Sequence, residues 1–455
     1  MLQVLTIIAL IVIGVLLFEL IIFFHEGGHF LAAKKSGVQV NEFALGMGPK
    51  LFSFTKGETT YSLRLFPIGG YCAMEGEDDD SENPRAFTNA KVWKRMIIIV
   101  AGAFMNIVLG LIMMFVIVMQ SSSFSSTTID GFPQNSFSAN CGLQAGDTIT
   151  KLNDYSIWSS QDLSFAIATT QCKEVKGDSL EIYKEDCAIE LCHLYVNLYD
   201  SKKYDKKQLE SLIEILNSGT AKINASESKT QAKAILDKYY AEIEKEAGVT
   251  KYTLPEIKVR ETRQRYQTDV EVLRDGKTVN LKNVQFYTYL ESKDAEKPSV
   301  SVDFYVKPIE KNVGTVLQQT GIQTVSVARM VWSSLIGLVQ GKFSFTDISG
   351  PVGAASAITQ VASKGLESGF LDAFNNIFYM MMLISVNLGI FNMLPFPALD
   401  GGRFLFLLIE AVFKKPIPRN VEKIVNGVGL GLLLLFMAII TVKDIWVLLP
   451  FNNGG

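Results

Sequence analysis

Two histidines four residues apart, His25 and His29, enclose Glu26-Gly27-Gly28 at the inner end of an apolar run. At that spacing two helical side chains share a face, so both imidazoles can reach one zinc ion. The glutamate between them can take a proton from water held by such a metal. The chain has three histidines in all, and two stand here. Short patterns of this kind also arise by chance. The residues before this one, Ala9 to Phe24, read as a membrane span broken only by Gly14 and Glu19. Ionisable groups inside a span are costly and tend to be functional, which favours a metal site and hydrolysis within a membrane.

Zinc takes a third protein ligand and leaves a fourth position open. The candidate is Asp400, in Asn392-Met393-Leu394-Pro395-Phe396-Pro397-Ala398-Leu399-Asp400-Gly401-Gly402. Pro395 and Pro397 cannot continue a helix, so the apolar run before them must break there. Unwound backbone at membrane depth is tolerated where it lines a cavity. Asp400 then opens the next helix. A plain helix-capping aspartate is the alternative. Beside His25 and His29 the ligand reading is preferred.

These groups need a membrane scaffold, and the composition supplies one. The chain has 455 residues, 48% of them hydrophobic, which suits membrane helices joined to a polar domain. A net charge of −3 gives no nucleic-acid footprint. Four apolar runs reach the roughly 20 residues a span needs. They are about Val4 to Ala33, Met96 to Met119, Phe374 to Leu394 and Val425 to Val442. The first lacks a basic start and carries the histidines, so it is not expected to be a cleaved signal peptide. Lys34 and Lys35, then Lys91, Lys94 and Arg95, then Arg403, Lys414, Lys415, Arg419 and Lys423 fall on one side. By the positive-inside rule that side is cytoplasmic. The expected protein is multi-pass in the cell inner or plasma membrane, with both termini and Ser121 to about Phe370 outside. Cys141, Cys172, Cys187 and Cys192 fall in that outer stretch, where a disulfide and free thiols are both open. Cys72 lies inside and reads as packing.

Residues Val38 to Asp80 are not a membrane helix. Glu58 to Leu65 alternates polar and apolar residues like a half-buried strand, and Pro67, Gly69 and Gly70 are expected to end it. A small β-loop at the inner membrane surface follows. Ser121 to Thr128 reads as a polar hinge. Then Asn135 to Asn153, through Gly142-Leu143 and Gly146-Asp147 to a strand ending near Asn153, resembles a PDZ domain. That pattern breaks at about Gln171, where Lys, Glu and Ala with helical spacing suggest an insertion. A closing hairpin is expected at Val270 to Phe286, turning on Asp275-Gly276. Val316 to Val339 is amphipathic, as in a helix lying in the membrane interface.

Taken together, these segments resemble the site-two protease family of intramembrane zinc metalloproteases, in its bacterial RseP-like branch. His25-Glu26-Gly27-Gly28-His29 matches one motif, and Asn392, Pro395, Pro397 and Asp400-Gly401 another. Gly46 to Pro49, Phe66 to Tyr71, Ala101 to Asn106 and Ser349 to Gly353 are also similar to family segments. The resemblance implies that His25, His29 and Asp400 hold Zn2+, that Glu26 activates water, and that Asn392, Pro395 and Pro397 contact substrate. It implies cleavage of single-span membrane proteins, such as anti-sigma factors, already shortened by an upstream site-one protease, and of remnant signal peptides. The PDZ-like module would screen out uncut substrates, and the β-loop would pair with an unwound substrate segment.

The expected fold is an α-helical membrane protein with four transmembrane helices, a membrane-associated β-loop and an extracytoplasmic PDZ-like α+β domain. Its parts are residues 1–37 (first span, zinc motif), 38–90 (β-loop), 91–120 (second span), 121–300 (PDZ-like, insertion about 171–262), 301–369 (interfacial helices), 370–402 (third span, third ligand) and 403–455 (cytoplasmic loop, fourth span). Three features depart from or add to the pattern. Gly27-Gly28 should loosen the helix by up to ~1 kcal/mol. Glu19, seven residues before Glu26, is read as structural. Asn106 is read as helix-to-helix packing rather than substrate path, with Asn387 carrying the same choice. His193 reads as an ordinary polar residue. A catalytically inactive PDZ-containing scaffold is the competing reading, and the intact His25, Glu26, His29 and Asp400 set argues against it. An ion transporter would need paired acids and inverted repeats, and neither is visible.

Overall fold

The structure is a computed structural model that describes residues 2–77, 81–133, 136–169, 179–181, 222–224, 265–289, 299–342, 348 and 350–448. In chain order the elements are α1 (Leu2–Ser36), β1 (Val40–Lys56), β2 (Thr59–Met74), α2 (Val92–Gln120), β3 (Ser123–Gly131), α3 (Phe137–Asn140), β4 (Thr148–Leu152), β5 (Tyr155–Ser156) and α4 (Ser160–Thr169). There follow β6 (Ser179–Glu181), β7 (Lys222–Asn224), β8 (Arg265–Arg274), β9 (Lys277–Tyr289), β10 (Ser299–Ser301) and β11 (Tyr305–Glu310). The chain closes with α5 (Val313–Val339), α6 (Pro351–Ser368), α7 (Phe370–Asn392), α8 (Asp400–Phe413) and α9 (Arg419–Leu448). They form two units, Met1–Phe124 with Ile309–Gly455, and Ser125–Pro308.

In the first unit α2 is the central post, packed by α1, α5, α7 and α8. Its neighbours come close because small residues face each other. A Cβ at Gly28 of α1 would sit 2.3 Å from the Ala101 carbonyl oxygen. One at Gly110 would meet Val386 of α7 at 2.5 Å, and one at Gly389 would meet the Ala103 carbonyl at 2.9 Å. Close backbone approach through small residues is how helices associate where lipid removes the hydrophobic incentive. Among the described residues, five helices are long and apolar enough to cross a membrane: Val12–Ser36, Val92–Gln120, Val313–Val339, Phe370–Asn392 and Asn420–Trp446. Four coincide with the apolar runs of the sequence. The fifth is α5, the expected interfacial helix. It buries Gln319, Thr320, Thr324 and Ser326 and exposes Val313, Leu317, Trp332 and Val339. Thr320 and Thr324 satisfy their hydroxyls on carbonyls one turn back, both at 2.8 Å.

The expected β-loop is a β1–β2 sheet, with one difference from expectation. Pro67, Gly69 and Gly70 bend β2 but do not end it, and pairing runs on to Met74. The left-handed conformations of Gly46 and Gly48 (φ 80° and 84°) fold β1 back on itself. Residues 42–45 consequently pair with both halves of β2, Ala44 with Tyr71 and Ser62, and Leu45 with Gly70 and Leu63. Glu42 ties this fold together. It accepts from Ser62 Oγ at 2.6 Å and Arg64 Nη2 at 3.0 Å, and Lys50 Nζ lies 3.0 Å away. Met47, Leu51, Phe52, Phe54, Leu63, Leu65 and Phe66 are exposed, an apolar surface suited to lipid. Cys72 is buried behind the sheet, as expected of packing.

The second unit is built on a sheet in the order β10-β9-β8-β4-β3-β11, antiparallel from β10 through β3, with β5 on β4. The hairpin at Asp275-Gly276 is present, with both residues at positive φ (48° and 74°) as a tight two-residue turn requires. Leu143, Ile149, Leu152 and Leu163 enter its core. Fully buried Asp147 accepts from Arg274 Nε and Nη2, both at 2.7 Å, and Nη2 also reaches the Gly142 carbonyl. The expected hinge at Ser121 to Thr128 is largely strand β3. Its β-branched Thr127 and Thr128 suit a ladder, and Phe124 and Ile129 are buried. Cys141 carries a free thiol. Cys172, Cys187, Cys192, His193 and, apart from β6 and β7, the expected helical insertion lie outside the described residues.

Two outcomes follow from these contacts. Nothing lies within 4 Å of a Cβ built on Gly27, whereas one on Gly28 clashes with Ala101. Gly27→Ala should therefore raise thermal stability by about 0.5–1 kcal/mol, while Gly28→Ala lowers it, read from melting in detergent. The second outcome concerns acid. Burial raises the Glu42 carboxyl, but Ser62, Lys50 and Arg64 outweigh it and hold the group at about 2 against an ordinary 4.5. A carboxylate depressed on folding stabilises fully above its unfolded value and loses that contribution as pH falls through the folded one. Melting temperature should fall between pH 4.5 and about 2, and Glu42→Gln should flatten that fall.

Candidate metal centre

The centre assembles on one face of α2, where Ile98, Gly102 and Asn106 recur every fourth residue. Each meets a histidine of α1. His29 Nδ1 lies 2.8 Å from the Ile98 carbonyl oxygen. That oxygen can only accept, so Nδ1 carries a proton, and in the neutral ring Nε2 keeps its lone pair. Gly102 leaves the space the imidazoles fill. A Cβ there would lie 2.3 Å from His29 Nε2 and 2.9 Å from His25 Cε1. The Asn106 amide stands 3.3 Å from His25 Nδ1.

Asp400 arrives from the other end of the chain. Helix α7 stops at Asn392, ahead of Pro395 and Pro397, and α8 restarts at Asp400. The turn between them is tight. Cβ atoms at Gly401 and Gly402 would lie 2.2 Å and 2.3 Å from the Leu394 and Phe396 carbonyl oxygens. Ala398 takes a left-handed φ of 74°, and its N–H donates to Asn426 Oδ1 of α9 at 3.2 Å. Farther along, α8 is fastened by Arg95 to Glu410 at 2.5 Å and by Arg403 to Glu77.

Three donor atoms result. His25 Nε2, His29 Nε2 and Asp400 Oδ2 form a triangle with every side 3.3 Å. Tetrahedral zinc with bonds of about 2.0–2.1 Å requires donors about 3.3–3.4 Å apart, so these residues fit it. Both histidines are buried, and Asp400 Oδ2 is a buried atom with no hydrogen-bond partner among the described residues. Electron-rich atoms this close in a poorly solvated site repel one another unless positive charge lies among them.

Around the triangle, Asn392 Nδ2 lies 3.4 Å from His25 Nε2. Glu26 is partly buried, and its Cγ would lie 3.5 Å from a Cβ on Gly70 of β2. The sheet thus reaches the glutamate. Pro395 is exposed, and Pro397 rests against Gly429 of α9. Asn387 is exposed on α7. Glu19 is buried, and neither of its carboxylate oxygens has a hydrogen-bond partner among the described residues. Sequence reasoning did not single out Ile98, and it flagged Gly102 and Gly70 only within the family-like segments Ala101 to Asn106 and Phe66 to Tyr71, without placing them at the centre. The four-residue recurrence of Ile98, Gly102 and Asn106 was the signal for the first two.

Gly102→Ala should displace His29 and strip the centre of metal, as measured by elemental analysis of purified protein. Gly14→Ala, at an α1 position with nothing within 4 Å, should leave metal content at the parent level.

The architecture has relatives. The profile of Peptidase family M50 matches residues 13–436, from ahead of His25 to beyond Asp400. A protein of Clostridium acetobutylicum is 30% identical, covering 97% of this chain and 98% of its own. The regulator of sigma-W protease RasP of Bacillus subtilis is 28% identical over 95% of this chain and 97% of its own. The zinc metalloprotease RasP of Geobacillus kaustophilus is 29% identical over 95% and 96%. With both ends of the donor triangle inside one continuous match, the chain belongs to peptidase family M50, the site-two proteases.

Proposed function

We propose that this chain is a membrane-embedded zinc endopeptidase. It hydrolyses peptide bonds within or near the transmembrane segments of single-span membrane proteins already shortened outside. The donor triangle of His25, His29 and Asp400, with Glu26 on the same helix, carries this reading. Zinc held by those three residues supplies a Lewis acid that makes water nucleophilic near neutral pH and polarises a carbonyl. Glu26 takes the proton of the attacking water and returns it to the leaving nitrogen. Asn392 offers its amide N–H to a substrate carbonyl. Pro395 and Pro397 keep the backbone beside it unwound, where a substrate segment can be received.

A substrate helix must unwind first, because its amides are satisfied internally. Among the described residues, 70–74 pair with β1 alone, and Gly70 lies next to Glu26. A substrate strand added at the free edge would recover lost backbone hydrogen bonds and lie against the base. The unit around β3 to β11 is read as a PDZ-like module outside the membrane that screens out uncut substrates. The name of the Bacillus subtilis relative ties that protein to regulation of a sigma factor, which supports the anti-sigma factor, cut first by an upstream site-one protease, that the family resemblance implies as substrate. Remnant signal peptides are a second class of the same geometry.

Four spans with both termini outside fit the helix contacts. Lys311, just before α5, donates to the Met119 carbonyl at the end of α2. Gly350 and Gly353, beyond α5, donate to Asp444 near the end of α9. The starts of α5 and of α6 thus meet helix ends that this reading puts outside, which supports α5 as a helix lying along the interface.

Glu26→Gln should retain zinc and abolish cleavage of a reporter membrane segment. Asp400→Asn should lose zinc and activity together. Full cleavage by Glu26→Gln, or normal zinc in Asp400→Asn, overturns the assignment of that residue.

A further inference from the structure

We infer that Asn106 is a positioning residue that holds the imidazole of His25 in its metal-binding tautomer. A neutral imidazole carries one proton, on Nδ1 or on Nε2. His25 points Nε2 into the triangle, 3.3 Å from both His29 Nε2 and Asp400 Oδ2. For Nε2 to offer a lone pair, Nδ1 must carry the proton and needs an acceptor. For His29 that acceptor is the Ile98 carbonyl. For His25 the group that faces Nδ1 is the Asn106 side chain at 3.3 Å.

The amide of Asn106 can present either end, since a half-turn about its last bond exchanges oxygen and nitrogen with little change in shape. Nitrogen inward suits a proton on His25 Nε2, which can then donate to Asp400. Oxygen inward suits a proton on Nδ1 and a free Nε2. With nitrogen inward, Asn106 Oδ1 is buried and has no hydrogen-bond partner among the described residues. The oxygen-inward state gives that atom a donor and is the one compatible with metal.

The rest of the residue is fixed. Asn106 is fully buried, and its backbone carbonyl accepts from Ser385 Oγ of α7 at 2.8 Å. A Cβ on Gly389 would lie 3.4 Å from Asn106 Cβ, so α7 closes directly over it. The amide is therefore clamped between α1 and α7, with freedom only to rotate its end. This goes beyond helix-to-helix packing, and it rests on the reading of His25 as a zinc ligand.

The test is zinc affinity, measured by chelator competition on the purified full chain in detergent, with melting of the metal-free form as the folding control. Asn106→Leu, similar in size but without an acceptor, should bind zinc about 10- to 100-fold more weakly while melting like the parent. Asn106→Asp, which keeps an acceptor, should stay within about threefold of the parent, well short of the loss expected for an absent partner. If Asn106→Leu fails to fold, Asn106→Ala replaces it in the same comparison. Parental affinity in the acceptor-free variant overturns the proposal, as does equal weakening by Leu and Asp. The two readings separate cleanly. If His25→Ala loses zinc while Asn106→Leu does not, only the role of Asn106 falls. If the parent itself holds no zinc, both fall.

Discussion

The approach of two imidazoles to the bare backbone of α2 is the constraint on which the rest of the bundle depends. His25 and His29 reach the triangle only because residue 102 has no side chain. The same helix turns a carbonyl toward one ring at Ile98 and an amide toward the other at Asn106. Helix α2 thus supplies space and hydrogen-bond partners, while α1 supplies donors. Each role requires the helices to lie close, and Gly28 against Ala101 lets them. Around this pair the other helices act as clamps. Helix α7 closes over Asn106 through Gly389, and α8 brings Asp400, held by ion pairs to α2 and to the end of the sheet.

The sheet answers a different demand. Hydrolysis needs an extended backbone, and a bilayer favours a helical one. Folding β1 back at Gly46 and Gly48 lets a short stretch of chain make a wider sheet against α1, while among the described residues the edge at 70–74, near Glu26 at Gly70, stays unpaired. The knot of Glu42, Ser62, Arg64 and Lys50 holds the fold-back closed from the solvent side. Its apolar outer surface suits the boundary between lipid and water, where a half-unwound substrate would be met.

Much of the centre was legible in the sequence because its parts are local. Histidines four apart on a helix declare their shared face, and Pro395 and Pro397 declare the break that lets Asp400 start a new helix. The Asp275-Gly276 hairpin was legible for the same reason. What could not be read was set by neighbours distant in sequence. Gly102 resembles any small residue of a membrane helix until the imidazoles are placed against it. Asn106 reads as packing until His25 Nδ1 stands beside it. β2 runs through Pro67 because β1 bends to follow it, and no window of β2 alone contains that information. Ser121 to Thr128 has the composition of a linker, yet it is mostly strand because Phe124 and Ile129 find a core.

The donors come from opposite ends of the chain, and that separation has a consequence for biosynthesis. At translation rates of about 5–20 residues per second, the third donor emerges roughly 20 to 70 seconds after the first two. During that interval the nascent protein has a pair of imidazoles but no complete cage for a cation. On the proposed zinc reading, the nascent chain therefore stays an inert precursor until Asp400 has been made.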